Sequence, residues 1–289
     1  MPELYLASGF ALGELARARS ADPLLAWACE LAAQAQPEDV YRNKEGRKTL
    51  RFQYRGKPYF LKLHTGVGWI EVLKNLLQLR LPVVSARNEY RAVLALQRAG
   101  VYTLKIGAYA RKGWNPAAIR SMIVTSELTG TTSLEDFCAG WATAPTEPAV
   151  RLSLIRSIAD SARRMHGAGI NHRDFYLCHF HLDETSLLEP LPRCYLIDLH
   201  RAQIRGRTPR RWRVKDLAGL YFSAMDCGLG QRDLLRFMCH YSEGGLRTAL
   251  GADRRLWRQV ERRALELYRK AGVARHQADG TRGLQRGQG

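Results

Sequence analysis

No stretch of this sequence runs eighteen apolar residues without interruption, which excludes a spanning helix by composition. The six cysteines, Cys29, Cys138, Cys178, Cys194, Cys227 and Cys239, form no C-x-x-C pair. Their irregular spacing predicts free thiols, as in a chain that folds in a reducing compartment. A basic cluster ahead of the first apolar residues is missing too, and Glu3 stands there instead. No signal peptide is expected, so the product should stay in the cytoplasm. Acidic residues are scarce, 27 against 45 Lys and Arg, for a net charge of +18. There is also no G-x-G-x-x-G loop, so any phosphate the chain holds is not cradled by glycine backbone alone.

What is present is an ordinary globular composition, 46% hydrophobic over 289 residues, enough for one sizeable core or two lobes. The positive charge admits three partners: nucleic acid, an anionic membrane surface or an acidic substrate. Its placement narrows the choice. Arg201, Arg205, Arg207, Arg210, Arg211, Arg213 and Lys215 crowd one segment, and no recognition helix, zinc knuckle or aromatic-rich sheet motif is legible. Nucleic acid is therefore not expected.

Residues 1–36 are Ala- and Leu-rich with helical spacing and read as a helical extension outside the main body. From 38 to 64 the pattern alternates around two glycine turns, which predicts three antiparallel strands. On the third, Lys62 sits among apolar neighbours that hold its stem. Residues 68–82 form an amphipathic segment, read as a packed helix or as a membrane-surface element. Ser85 to Arg98 reads as a helix with Ser85 as its cap, bringing Glu89, Val93 and Leu96 to one side. Met122 to Leu128 is a buried strand running into polar ground at 129–132, a hinge. Helices are expected over Val150–His166, stopped by Gly167 or Gly169, then over Lys215–Cys227, Arg232–Tyr241 and Asp253–Lys270. The tail from Gly272 reads as disordered. Domain limits follow at 1–36, 37–130, 131–271 and 272–289.

Two carboxylates stand out by their surroundings. Asp174 closes the triplet His172-Arg173-Asp174, and Asp198 follows a short apolar strand, Cys194 to Ile197. Phosphoryl transfer asks a protein mainly to position groups and neutralise spreading charge. A loop carboxylate, a metal carboxylate and a lysine supply that. The run Met165 to Asp174 resembles the lead-in to the catalytic loop of the eukaryotic-like protein kinase superfamily. Within that superfamily, Tyr41 to Tyr268 resembles the lipopolysaccharide core heptose(I) kinase family. The resemblance rests on Leu61 to Trp69, Lys74 to Leu77, Leu81 to Val84, Asn171 to Phe180, Ile197 to Gln203 and Arg211 to Ala218.

That resemblance implies an α+β, bilobal protein-kinase-like fold, with a small antiparallel-sheet N-lobe carrying a helix and a larger, mainly helical C-lobe. It implies an ATP- and Mg²⁺-dependent kinase of the first heptose of a lipid-linked core oligosaccharide, peripheral to the inner membrane. Another core sugar or a protein hydroxyl is the alternative acceptor. A catalytically silent kinase-fold scaffold for an acidic protein such as an acyl carrier protein is the alternative class. Carried over by residue, Asp174 becomes the catalytic aspartate, Asp198 the Mg²⁺ ligand, Lys62 the phosphate lysine and Glu89 its partner. Glu127 and Leu128 join the nucleotide site. Phosphate cradling, which glycines do elsewhere, relies partly on the side chains of Lys44, Arg47 or Lys48, with Lys48 placed in the nucleotide site. His179 replaces an Asn metal ligand, and either holds a metal loosely or hydrogen-bonds a phosphate or Asp174. Arg173 and Asp216 give structural support, and Arg205, Arg207, Arg210 and Arg211 form an anion site for the substrate. Leu199-His200 replaces Phe-Gly after Asp198, removing a flexible glycine. His64, His166 and His200 read as structural histidines.

Overall fold

A computed structural model describes residues 3–8, 10, 18–44, 46–66, 68–69, 85–115 and 117–286. The amphipathic segment expected at 68–82 falls mostly outside them. The chain divides into two compact units, the first comprising 1–98, 103–129 and 197–203, the second 99–102, 130–196 and 204–289.

The first unit is built on a six-stranded antiparallel sheet. Its strands are β1 (Glu3–Leu6), β2 (Val40–Lys44), β3 (Arg47–Tyr54), β4 (Lys57–His64), β5 (Ile106–Lys112) and β6 (Arg120–Ser126), in the order β1-β5-β6-β4-β3-β2. The three strands expected between 38 and 64 are β2 to β4. Alternation sends Leu50, Leu61 and Leu63 to one face, where they pack with Leu24, Leu25, Ala28 and Ala32 of helix α1 (Ala21–Gln34). Burying each of those leucines contributes roughly 2 kcal/mol.

The N-terminal region is thus core rather than an outlying extension. α1 covers the sheet, and β1 pairs along β5. Glu3 anchors that edge, accepting a hydrogen bond from the Tyr109 hydroxyl at 2.6 Å and an ion pair from Arg87 at 2.8 Å. Helix α2 (Arg87–Arg98) buries Glu89, Val93 and Leu96, an i, i+4, i+7 stripe. Its start is tied down by Ser121 Oγ, which accepts from the Ala86 amide at 3.0 Å.

The second unit is mainly helical. A small sheet of β7 (Thr131–Ser133), β8 (Phe180–Asp183) and β9 (Cys194–Leu196) accompanies helices α3 (Leu134–Cys138), α4 (Pro148–Gly167), α5 (Arg210–Ala224), α6 (Gln231–Tyr241), α7 (Gly245–Leu250) and α8 (Arg254–Arg286). α5 starts five residues earlier than expected, because Pro209 fits the position before a first turn and frees no amide. α8 continues to Arg286, well past the Lys270 end and through most of the tail expected to be disordered. The Ala, Arg and Gln residues there are adequate helix formers, and isolated glycines are tolerated. All six cysteines are free thiols.

Candidate functional site

Lys62 lies on β4 between Leu61 and Leu63. Those two face α1, so the pleat sends Lys62 to the opposite face of the sheet. There its Nζ donates to Oε1 of Glu89 at 2.6 Å, and Glu89 is only 2% exposed in the first turn of α2. Burial alone would favour the neutral amine, but the charges of Glu89 and then Asp198 outweigh it. The Lys62 pKa is raised and the ammonium persists. Asp198 adopts left-handed backbone, φ 59° and ψ 51°, a conformation aspartate tolerates better than most residues. Its Oδ1 accepts from His200 Nδ1 at 2.6 Å, while Leu199 between them is fully buried.

Register decides which basic residues accompany Lys62. Thr49 pairs with Lys62 and Arg47 with His64, so Arg47 projects to the Lys62 side. Lys48 pairs with Leu63, projects to the α1 side, and donates to the Ala32 carbonyl at the end of that helix. Register thus turns Lys48 away from the face that carries Lys62, against the phosphate role expected of it, while Arg47, an alternative read from the sequence, lies on that face. Glu127 directly follows β6. Its carboxylate binds Arg51 at 2.7 Å and its amide donates to the Pro58 carbonyl at 3.1 Å. Leu128 is the next residue of the same segment.

The donor set suits Mg²⁺ held mostly by a nucleotide. Asp198 brings a hard carboxylate on a partly exposed side chain, and among the described residues no cluster of three His, Cys, Asp or Glu forms an all-protein cage. Mg²⁺ favours such sites, where one or two carboxylates, phosphates and waters complete an octahedron.

In the second unit α4 delivers the chain to the His172-Arg173-Asp174 loop. Gly167 is its last helical residue, and Gly169, at φ +77°, turns the backbone. Asn171 and His172 are then fully buried. Asp216, also fully buried on α5, accepts from the His172 amide at 2.7 Å and the Arg173 amide at 2.9 Å. His166 Nε2 lies 3.4 Å from the same carboxylate, and its Nδ1 is 2.9 Å from the Tyr241 hydroxyl. Arg173 is left-handed at φ 79°, a cost of roughly 1–2 kcal/mol for a non-glycine residue, which these charge-assisted bonds offset. Beyond Asp174, His179 Nδ1 donates to the Asp174 carbonyl at 2.6 Å while its ring stacks on His172, centroids 5.7 Å apart. The loop is thereby pinned on both sides of Asp174. The His179 ring thus bonds to Asp174, the hydrogen-bonding alternative read from the sequence, and imidazole is a poor ligand for Mg²⁺.

The basic segment is organised around one ring. Arg173, Arg205, Arg211 and Lys215 hold their charges 5.4 to 5.7 Å from the centroid of Trp212. Arg207 and Arg210 are exposed and stand outside this group, and Arg210 lines a groove with Arg211, Arg262 and Arg263. Of the four arginines read from the sequence as an anion site, the structure groups Arg205 and Arg211 with Arg173 and Lys215 around one ring and sets Arg207 and Arg210 apart from it. His200, read from the sequence as a structural histidine, is hydrogen-bonded to Asp198. Trp212 is the residue that the sequence reading misses, although a tryptophan inside Arg-Arg-Trp-Arg is a signal for stacked guanidinium groups.

Residues 32–241 match the Lipopolysaccharide kinase (Kdo/WaaP) family. The lipopolysaccharide core heptose(I) kinase WaaP of Escherichia coli is 49% identical over 231 residues, which cover 79% of this chain and 87% of that protein. Its counterpart in Pseudomonas aeruginosa is 46% identical over 241 residues, 83% of this chain and 90% of that protein. A solved structure described as WaaP in complex with acyl carrier protein aligns with a TM-score of 0.75 at 40% identity, over 92% of this chain and 99% of that one. By sequence, fold and the order of its site residues, the chain belongs to the lipopolysaccharide kinase (Kdo/WaaP) family, with the α+β fold of that kinase family.

Proposed function

We propose that the protein transfers the γ-phosphoryl group of ATP to a hydroxyl of heptose I in the lipopolysaccharide inner core. The observation that carries this reading is the buried Lys62–Glu89 pair with the Asp198 charge beside it, since a fixed ammonium next to a metal-binding carboxylate is what a nucleotide triphosphate requires. Mg²⁺, held by Asp198 and the phosphates, would neutralise charge on the β- and γ-oxygens. Lys62 and Arg47 hold the phosphates. Asp174, on its pinned loop, orients the sugar hydroxyl and takes its proton as the oxygen bonds to the γ-phosphorus and the bond to the bridging oxygen of ADP breaks. His200 fixes the Asp198 carboxylate, and Asp216 with His179 fixes the loop.

Support for the acceptor comes from relatives near half-identity that carry the heptose(I) kinase name. No helix among the described residues is long and apolar enough to cross a membrane. A lipid-linked acceptor is then met from the membrane surface, which we place at the cytoplasmic face of the inner membrane. The test is mass spectrometry of core oligosaccharide from a deletion strain. Wild-type protein should restore one phosphate on the first heptose and Asp174→Asn should not. Restoration by Asp174→Asn, or a phosphate on a different sugar, would remove this reading.

An acidic carrier partner is a second reading. Besides the net charge of +18, the second unit contains an apolar cavity of about 350 Å³, lined by Ile158, Leu217, Leu220, Ala224, Phe237 and Trp257 among others. A space of that kind suits the hydrocarbon cargo of an acyl carrier protein, the partner of the solved relative. Filling it with Ala224→Leu should reduce co-purification of acylated carrier while ATP affinity holds. Unchanged co-purification would separate the carrier from the cavity.

A further inference from the structure

We infer that a cavity of about 360 Å³ in the second unit is a subsite for a sugar ring of the acceptor saccharide, held by stacking and by hydrogen bonds to ring hydroxyls. The inference rests on the sugar-kinase reading above and specifies where the acceptor is gripped. The cavity is lined by Glu135 of α3, Tyr176 and Cys178 of the catalytic loop, Phe222 of α5, Asp226 just beyond it and Tyr268 of α8, among others.

Three rings make one wall. Tyr176, Phe222 and Tyr268 follow one another with centroids 6.4 Å apart at each step and planes inclined at 78° and 70°. Aromatic faces are electron-rich, and the slightly positive C–H bonds on one side of a sugar ring rest against such faces. The hydroxyls then need acceptors, and two carboxylates line the same cavity. A carboxylate has about four acceptor sites, so Glu135, exposed on its helix, can bind more than one hydroxyl. Asp226 accepts from the Tyr268 hydroxyl at 2.5 Å, which fixes that ring in place. No lysine or arginine stands among the described lining residues, which suits hydroxyls better than an anion. The volume lies at the low end of the roughly 300–1,000 Å³ that small ligands occupy, room for a sugar ring rather than an extended chain.

The wall is set by the way the loop seats on α5. Ser223 Oγ accepts from the Leu177 amide at 3.0 Å and donates to the Leu220 carbonyl at 2.9 Å. A Cβ on Gly219 would stand 3.0 Å from the Phe175 carbonyl oxygen and 3.2 Å from the Tyr176 ring, so bare backbone there lets loop and helix close tightly. Tyr176 and Cys178 stand two and four residues beyond Asp174, whose carbonyl accepts from His179. A saccharide gripped in the cavity is therefore held against the same short, pinned loop that carries Asp174.

Cys178 gives a test independent of turnover. Its thiol lines the cavity, and Cys29 and Cys239, free thiols of similar exposure elsewhere, serve as internal references. Wild type is labelled with iodoacetamide at about pH 8.5, where an ordinary thiol is half ionised, with and without deacylated, dephosphorylated inner-core oligosaccharide. Peptide mass spectrometry reads the rate at each cysteine. At about ten times its dissociation constant the oligosaccharide should slow labelling of Cys178 roughly tenfold and leave Cys29 and Cys239 unchanged. Glu135→Gln and Phe222→Leu should each raise the acceptor KM roughly three- to tenfold and leave the KM for ATP as it was. A Cys178 rate that saccharide does not change overturns the inference. So does a Cys178 inert in the free protein, since the cavity is then closed to small solutes. Equal slowing at all three cysteines, or an unaltered acceptor KM in Glu135→Gln, overturns it as well. Should phosphate reach the heptose while Cys178 stays unprotected, the subsite falls and the kinase reading stands. Should Cys178 be protected with no phosphate transferred, the kinase reading fails and the saccharide site stands.

Discussion

At the scale of single residues, the face of β4 opposite α1 carries two different answers to burial. Lys62 keeps its charge because Glu89 and Asp198 overcome desolvation. His64, two residues on and 6% exposed, is set chiefly among basic groups. Desolvation first, then the charges of Arg47, Lys62, His200 and Arg42, lower its pKa to about 3, and its Nδ1 is buried without a partner. A depressed base binds its proton only in the unfolded chain, so its contribution is complete above the unfolded pKa of about 6.5 and is lost as pH falls from there toward 3. Between pH 6.5 and 5 that loss should reach roughly 2 kcal/mol, at 1.4 kcal/mol per unit. Chemical unfolding of wild type and His64→Gln across pH 5 to 8 measures it. The variant should show a shallower fall on the acid side, and parallel curves would mean that His64 is protonated in the fold. For Lys62 the expectation is thermodynamic as well as functional. Glu89→Gln keeps the hydrogen bond but takes away the larger of the two charges that hold the ammonium, and should cost about 3 kcal/mol of stability alongside a loss of ATP affinity, read by calorimetry.

At the scale of elements, the catalytic loop depends on one glycine between α4 and Asn171. A Cβ on Gly169 would lie 1.9 Å from the Arg205 carbonyl oxygen, and its φ of +77° is disfavoured for any L side chain. The obstacle is backbone, not a movable side-chain tip. Gly169→Ala should therefore displace the Arg205 backbone, cost at least about 2–3 kcal/mol in denaturant unfolding and cut turnover, whereas Gly167→Ala, with nothing within 4 Å, should be close to neutral. A Gly169→Ala protein with wild-type stability would show that the loop can yield there. The same stretch shows what is legible in sequence. Helix α4, strand β9 and the order of Asp174, Asp198 and Asp216 follow from periodicity and from a spaced motif, because both are local. Lys48 was misplaced because its face depends on β3 register against β4, fixed by a pairing partner fifteen residues away. Residues 1–36 were misplaced for a related reason. Nothing in β1 announces that it will pair with β5 a hundred residues later, and an Ala-rich α1 carries no mark of what it covers. The cluster around Trp212 is a matter of tertiary convergence, assembled from a loop, a turn and a helix.

For the whole molecule, 45 basic against 27 acidic side chains is more than the nucleotide half of the site requires. The excess sits largely on exposed positions, as with Arg210, Arg211, Arg262 and Arg263 along α5 and α8, whereas the Lys62–Glu89 pair is withdrawn from solvent. Exposed charges act at range and are screened over about 8–10 Å at physiological ionic strength, so they govern encounter with acidic partners more than the chemistry of transfer. The two functions should then come apart experimentally. Raising NaCl from about 0.05 to 0.5 M should slow association with an acidic carrier protein at least tenfold in stopped-flow, with a smaller change in dissociation, as expected when steering rather than contact is weakened. Lys62→Ala should abolish ATP binding in calorimetry and leave the salt profile of carrier association untouched. Replacing Arg210, Arg262 and Arg263 together with Gln should flatten that salt profile and leave ATP affinity as it was. If the triple variant instead keeps the full salt slope, the steering charge lies on another face. If it loses ATP affinity as well, the surface charge and the nucleotide site are one electrostatic unit and not two.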